Sequence, residues 1–184
     1  MAARRCVVER MSSKQAIDMR ISSLSVLVVE DNQFMRKIVR NLLLTIGVRE
    51  VHEAADGIAG LEAIRTVMPD VVVLDWEMPL LNGSELVRIV RSPEVFPTPD
   101  LPIIMLSSYG ERWRVVEAAR LGVNEFLVKP VSAKALHDRL VSILAQPRAS
   151  VQVGDYYGPE PRRTFGDPER KPSAAPAPEG SLLN

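Results

Sequence analysis

Residues 71–83 read VVVLDWEMPLLNG, and the first five decide the fold class. Val71-Val72-Val73-Leu74 is a β-branched-rich apolar run without polar alternation, as expected of a parallel strand buried on both faces. It ends abruptly in a carboxylate, Asp75. Working outward, runs of the same kind appear at Val26-Leu27-Val28-Val29 and Ile103-Ile104-Met105-Leu106, with shorter ones at Val51–Ala54 and Phe126–Val128. Between them the period becomes helical. Met35, Ile38, Val39, Leu42, Leu43 and Ile46 form one stripe, with Asn32 as candidate N-cap. Leu61, Ile64 and Met68 form a second, and Leu86, Ile89 and Val90 a third. Val115, Val116, Ala119 and Leu121 form the fourth; Leu136, Leu140, Ile143 and Leu144 form the fifth.

Five repeats of strand then helix predict an α/β fold. The sheet is doubly wound and parallel, with helices on both faces and right-handed crossovers. Such sheets carry their ligand sites at the carboxyl ends of the strands. Ser92–Asp100 holds three prolines in nine residues, which makes it a non-helical connector before the fourth strand.

The flanks read differently. The chain has 184 residues, with 23 Lys plus Arg against 23 Asp plus Glu, so no net charge drives it onto nucleic acid or a membrane surface. Residues 1–23 are polar and mildly basic, without the apolar segment of a secretory signal, and are expected to be a flexible N-terminal extension. Residues 147–184 are rich in Pro and Gly and are expected to form a disordered tail, leaving 24–146 as the single domain. No apolar stretch approaches the roughly 18 residues of a membrane span. The single cysteine, Cys6, has no partner for an internal disulfide, which fits a reducing, cytoplasmic setting.

The strand ends supply a short list of polar groups. The first strand delivers Glu30-Asp31, the third Asp75, the fourth Ser107 and the fifth Lys129-Pro130. Three carboxylates sharing one rim repel one another unless protonated or bound to a cation. Oxygen ligands without nearby His or Cys suit Mg²⁺ better than zinc. A hydroxyl and an ammonium opposite would cradle a dianionic phosphoryl group, and a carboxylate such as Asp75 is itself a competent nucleophile. Taken singly, several of these residues have plainer explanations. Glu30-Asp31 could serve only the next helix N-terminus, and Phe126 could be simple core.

Together the strings LVVEDN, VVVLDWEMPLLNG, IIMLSS and FLVKP resemble the CheY-like receiver domain of bacterial two-component response regulators. The resemblance spans roughly residues 24–146. It implies a flavodoxin-like (βα)5 sheet of strand order 2-1-3-4-5, the order for which CheY itself is a standard example. It further implies that Asp75 is the phosphoacceptor, served by a sensor histidine kinase or phosphotransfer protein. Mg²⁺ would be held by Glu30, Asp31, Asp75 and the backbone carbonyl of Glu77. Ser107 would be the switch hydroxyl, Phe126 the aromatic switch and Lys129 the phosphate-binding lysine. The Lys-Pro junction is often cis in the family. Met78-Pro79 and Gly83 match the loop after the acceptor, while Glu77 and Tyr109 flank the path of attacking water. The first-strand pair reads Glu-Asp where chemotaxis members carry Asp-Asp, which preserves the charge.

The expected function is that of a single-domain response regulator acting on a downstream protein target. It is not an enzyme beyond self-phosphorylation and autodephosphorylation at Asp75. Its expected output face is the fourth helix, fifth strand and fifth helix, which also leaves room for a phosphorylation-dependent dimer. No DNA-binding domain is evident. One alternative is a binding module that works without phosphorylation, with a nucleotide-binding tail around Arg162-Arg163 and Arg170-Lys171. Another is a Mg²⁺-dependent phosphohydrolase of the haloacid dehalogenase type. That class carries Asp-x-Asp after its first strand, whereas this chain has Asp75-Trp76-Glu77 after its third.

Overall fold

The structure, a computed structural model, describes residues 13–161. Five strands form one parallel sheet in the order β2-β1-β3-β4-β5, where β1 is Ser25–Val29, β2 Glu50–Ala54, β3 Val71–Asp75, β4 Ile103–Ser107 and β5 Glu125–Val128. This is the doubly wound order expected. The five connecting and closing helices are α2 (Gln33–Thr45), α3 (Gly57–Val67), α4 (Gly83–Val90), α5 (Arg112–Arg120) and α6 (Ala133–Ala145), numbered after a leading helix α1 (Ser13–Ser22).

The apolar runs are unbroken because both faces of the sheet are covered. Leu27, Val29, Val72, Leu74, Ile103 and Met105 pack on one side with Ile64, Leu86, Val87 and Val90. Val26, Val28, Val71, Val73, Ile104 and Leu106 pack on the other with Val39, Leu43, Leu136 and Leu140. Alternate residues of one strand thus serve two separate cores. The N-cap read at Asn32 is present, its side chain accepting from the amides of Phe34 and Met35.

Strand register then determines which residues meet. Val29 pairs with Leu74, so Glu30 and Asp75 follow side by side. Asp75 pairs with Leu106, and Ser107 pairs with Val128, which brings Lys129 to the same rim.

Two boundaries of the sequence reading need correction. Segment 1–23 reads as a flexible extension, yet Ser13–Ser22 is helical and buries Ile21 in the α2–α6 core, with Ile17 one turn earlier packed against it. Two apolar residues at i, i+4 suffice because the neighbouring elements supply the rest of the surface. Arg20 donates to the Leu144 carbonyl at 2.8 Å, tying α1 to the end of α6.

The second correction concerns the tail that reads as disordered at 147–184. Ser150–Val153 (β6) and Tyr156–Pro159 (β7) form an antiparallel hairpin closed by Gly154-Asp155, with Gly154 at φ 58°. It docks at the amino end of β4 and β5, where Tyr157 reaches Asp100 and abuts Gly122. The readings that fall on residues 1–12 and 162–184, including the nucleotide-binding arm at Arg162-Arg163 and Arg170-Lys171, lie outside the described residues. The connector Ser92–Asp100 is non-helical, as its prolines require, and buries Phe96 in the core.

Candidate functional site

The carboxyl rim of the sheet holds a cleft of about 460 Å³ lined by Glu30, Asp31, Asn32, Met35, Asp75, Glu77, Ser108, Lys129 and Pro130. Glu30 and Asp75 are almost wholly buried, 1% and 3% exposed, while Asp31 faces solvent. One carboxylate oxygen from each lies within 4.8 Å of the others. Lys129 Nζ lies 2.7 Å from Glu30 Oε2 and 2.8 Å from Asp75 Oδ1, so one ammonium bridges two buried carboxylates.

The electrostatics are unbalanced. Three carboxylates face one lysine. Desolvation pushes Asp75 up to about 6, helped by the charges of Glu30 and Glu77 and opposed by Lys129. Burial alone would lower Lys129, but its hydrogen bonds to Asp75 and Glu30 outweigh burial and raise it. Three carboxylates gathered around one ammonium leave negative charge that an added cation would offset. The all-oxygen donor set fits a hard divalent ion such as Mg²⁺, and Glu30, Asp31 and Asp75 are the side chains that would hold it.

The loop after Asp75 is shaped by backbone contact. A Cβ on Gly83 would lie 2.2 Å from the Asp75 carbonyl oxygen and 3.0 Å from Trp76 Cα, so only glycine lets α4 begin there. Asn82 caps α4 in a capping box with Glu85, which fixes the loop's far end. The Lys129–Pro130 peptide is cis.

The other expected residues fall around this cleft in distinct ways. Ser107 is fully buried at the end of β4, and its Oγ accepts from the Tyr109 amide at 3.1 Å; Ser108 is the serine that lines the cleft. Phe126 lies outside the cleft on β5, its ring edge-on to that of Trp76, the residue after Asp75, with centroids 6.3 Å apart. Glu77 lines the cleft, and its carboxylate is engaged by Arg114.

Arg114 does not stand out in the sequence. Its guanidinium sits 4.5 Å from the Tyr109 ring centroid, 4.9 Å from Trp113 and 5.4 Å from Trp76 while it pairs with Glu77. The available signal is the run Arg112-Trp113-Arg114, cations interleaved with an aromatic just after Tyr109. Read as a sequence, it shows only a helix start.

A family model for the response regulator receiver domain matches residues 26–141. Among curated relatives, the Vibrio cholerae chemotaxis protein CheY-3 is 36% identical over 121 residues, covering 66% of this chain and 92% of that protein. The Campylobacter jejuni chemotaxis protein CheY homolog is 38% identical over 123 residues, covering 66% and 92% respectively. Of solved structures, a Francisella response regulator receiver domain superposes with a TM-score of 0.61 at 28% identity, covering 67% of this chain and 98% of that one. Vibrio cholerae CheY4 superposes with a TM-score of 0.57 at 32% identity, covering 64% and 95%.

Proposed function

The chain belongs to the response regulator receiver family, and on that premise we propose that Asp75 accepts a phosphoryl group in a Mg²⁺-dependent step that switches binding to a partner protein. The observation that carries this reading is the Lys129 bridge to Glu30 and Asp75, inside a carboxylate cluster whose charges exceed the cations present.

In the transfer, an Asp75 carboxylate oxygen bonds to the phosphorus of a kinase phosphohistidine as the nitrogen–phosphorus bond breaks. The electron pair returns to the donor imidazole, and Asp75 becomes an acyl phosphate. Glu30, Asp31, Asp75 and the Glu77 backbone carbonyl would hold Mg²⁺, which would supply charge neutralisation for the phosphoryl oxygens. Lys129 is already within 2.8 Å of Asp75 and needs only to exchange a carboxylate for a phosphoryl oxygen. Ser107 would leave its contact with the Tyr109 amide to donate to the same group. That rotation frees the loop before α5 and gives Phe126 room to move against Trp76.

Output then passes to the α5–β5–α6 face. Trp113, Val115 and Val116 expose large apolar surface there, which suits a protein partner. The same face serves a phosphorylation-dependent dimer equally well. No helix among the described residues is long and apolar enough to cross a membrane. We place the protein in the cytoplasm as a single-domain regulator whose only chemistry is gaining and losing its own phosphoryl group.

The test is acyl-phosphate formation. Incubation with acetyl phosphate and Mg²⁺ should give a labile phosphoryl adduct by intact mass, absent in Asp75→Asn and without metal. No adduct, from acetyl phosphate or from a panel of histidine kinases, would favour the phosphorylation-independent binding module.

A further inference from the structure

Glu77 is the wall between two adjoining clefts. On one side lies the acceptor cleft with Asp75 and Lys129. On the other lies a cleft of about 460 Å³ lined by Trp76, Glu77, Met78, Asn82 and Arg114. Arg114 closes this second cleft from the first turn of α5. Its side chain is only 17% exposed, held by the Glu77 carboxylate and three aromatic rings. The ion pair is single-pronged, since Glu77 Oε2 and Arg114 Nε are both buried without a hydrogen-bond partner. Three rings about one guanidinium form an apolar collar that keeps water from reaching those groups.

We propose that Arg114 is a positioning residue that prolongs the life of the Asp75 acyl phosphate by holding the Glu77 carboxylate away from attacking water. This inference rests on Asp75 being the phosphoacceptor. Loss of the phosphoryl group is a hydrolysis. A water oxygen bonds to phosphorus, the bond from phosphorus to the Asp75 oxygen breaks, and its electron pair stays on the Asp75 carboxylate. The products are that carboxylate and dihydrogen phosphate, which gives up a proton to solvent.

A carboxylate at the wall of the acceptor cleft is well placed to accept a hydrogen bond from that water and align it. Arg114 occupies the carboxylate from the far side. Through its stacking on Tyr109 and Trp76, it also joins the residue after the acceptor to the loop after Ser107. Removing the guanidinium frees Glu77 and opens the collar together, and both changes speed hydrolysis.

The experiment uses the full chain. Wild type, Arg114→Ala, Arg114→Lys, Glu77→Gln and Arg114→Ala/Glu77→Gln are phosphorylated with acetyl phosphate and Mg²⁺. The donor is removed by rapid desalting and adduct decay is followed by intact mass, with melting temperatures recorded for each. Arg114→Ala should decay about threefold faster or more, a fraction of the roughly 10²–10⁴ that a fully used general base supplies. Arg114→Lys, which keeps the charge but not the planar stacking, should recover part of the lifetime.

In the Glu77→Gln background, Arg114→Ala should change the decay little, because the group it restrains is gone. A merely structural role would not show that dependence. An unchanged lifetime in Arg114→Ala overturns the proposal, as does equal acceleration in both Glu77 backgrounds. Should Arg114→Ala fold poorly, the decay of Arg114→Lys relative to wild type, with and without Glu77→Gln, decides by the same criterion. Absence of any adduct on wild type instead overturns the reading of Asp75, and this proposal with it.

Discussion

The two ends of the sheet each bury a cation, and they treat it in opposite ways. At the carboxyl rim Lys129 is shared between Glu30 and Asp75, among acids that outnumber it. At the amino rim Arg91 is 6% exposed and donates to the Gly122 carbonyl, the Pro99 carbonyl and Asn124 Oδ1 at 2.9, 2.6 and 3.0 Å. Every partner there is neutral, and all three Arg91 nitrogens are used. Asn124 Oδ1 also accepts from the Ile103 amide, so the arginine joins the starts of β4 and β5. The hairpin closes over this assembly, with the Tyr157 carbonyl oxygen 2.8 Å from where a Gly122 Cβ would stand. At the amino rim every nitrogen of the Arg91 fork has a hydrogen-bond acceptor. The carboxyl rim leaves charge uncompensated, and it is there that we propose the phosphoryl chemistry takes place.

The sharpest way to break this contrast is to remove each cation. Arg91→Ala should cost about 2–4 kcal/mol in chemical denaturation, because the change removes the donors of the Gly122 and Pro99 carbonyls and the tie to Asn124. Burial pushes Arg91 down to about 10, so it stays charged at neutral pH and the cost persists across pH 5–8. Folded Arg91→Ala should still accept a phosphoryl group at the wild-type rate. A loss of phosphorylation in protein shown to be folded would mean that the ends are coupled.

Asp75→Asn should do the reverse at the other end, stabilising metal-free protein by about 1–3 kcal/mol above pH 6. Its folded value is raised to about 6 from 3.8, so the ionised native state carries the penalty. Wild-type stability from this group therefore falls as pH climbs from about 4 to 6, and the advantage of Asn should shrink as pH drops through that window. Melting curves with and without Mg²⁺ sharpen the point. The metal should raise the wild-type transition more than that of Asp75→Asn, because only the wild-type site keeps all three carboxylates.

The same contrast explains what the sequence disclosed. The carboxyl rim is readable because parallel register obliges the residue after each apolar run to stand on one edge, so Glu30, Asp75, Ser107 and Lys129 announce themselves by position. The amino rim has no such rule. Arg91 reads as the end of an amphipathic helix, and its partners are two backbone carbonyls and an amide that no side-chain pattern reveals. The hairpin does carry a signal, since Val151-Gln152-Val153 alternates and Gly154-Asp155 precedes two tyrosines. The prolines and glycines beyond it dominate the average composition and hide those ten residues. Helix α1 depends on Ile17 and Ile21 finding α6, a tertiary contact that local pattern does not encode. Arg114 escapes notice for a related reason, because its partners Glu77, Trp76 and Tyr109 come from two loops separated in sequence.

An intermediate probe sits beside the Arg91 fork. Gly122 has φ 85°, and a Cβ there would meet the Tyr157 carbonyl at 2.8 Å and Arg91 Nε at 3.1 Å. Gly122→Ala should therefore cost about 1–3 kcal/mol, combining left-handed strain with displacement of the hairpin. Increased proteolysis after residue 147 would distinguish hairpin release from global loss of stability.

The smallest effect tests the outer edge of the same assembly. Tyr157 donates from its hydroxyl to Asp100 Oδ1 at 2.7 Å, and Asp100 is held below the usual carboxylate range by hydrogen bonds from Ser150 and then Tyr157. The pair is largely exposed, so solvent screens it, and Tyr157→Phe should cost only about 0.5 kcal/mol at pH 7. A depressed acid stabilises the fold above its unfolded value and loses that contribution as pH falls through the folded one. The difference between wild type and Tyr157→Phe should therefore vanish in acid, where Asp100 is protonated in both. A penalty that instead persists in strong acid would mean that the hydroxyl's bond to a neutral Asp100, and not the charge on that carboxylate, holds the hairpin in place. The outer edge of the amino rim would then be held by a neutral hydrogen bond, and the buried Arg91 fork beneath it would be the charged tie on which that end of the sheet depends.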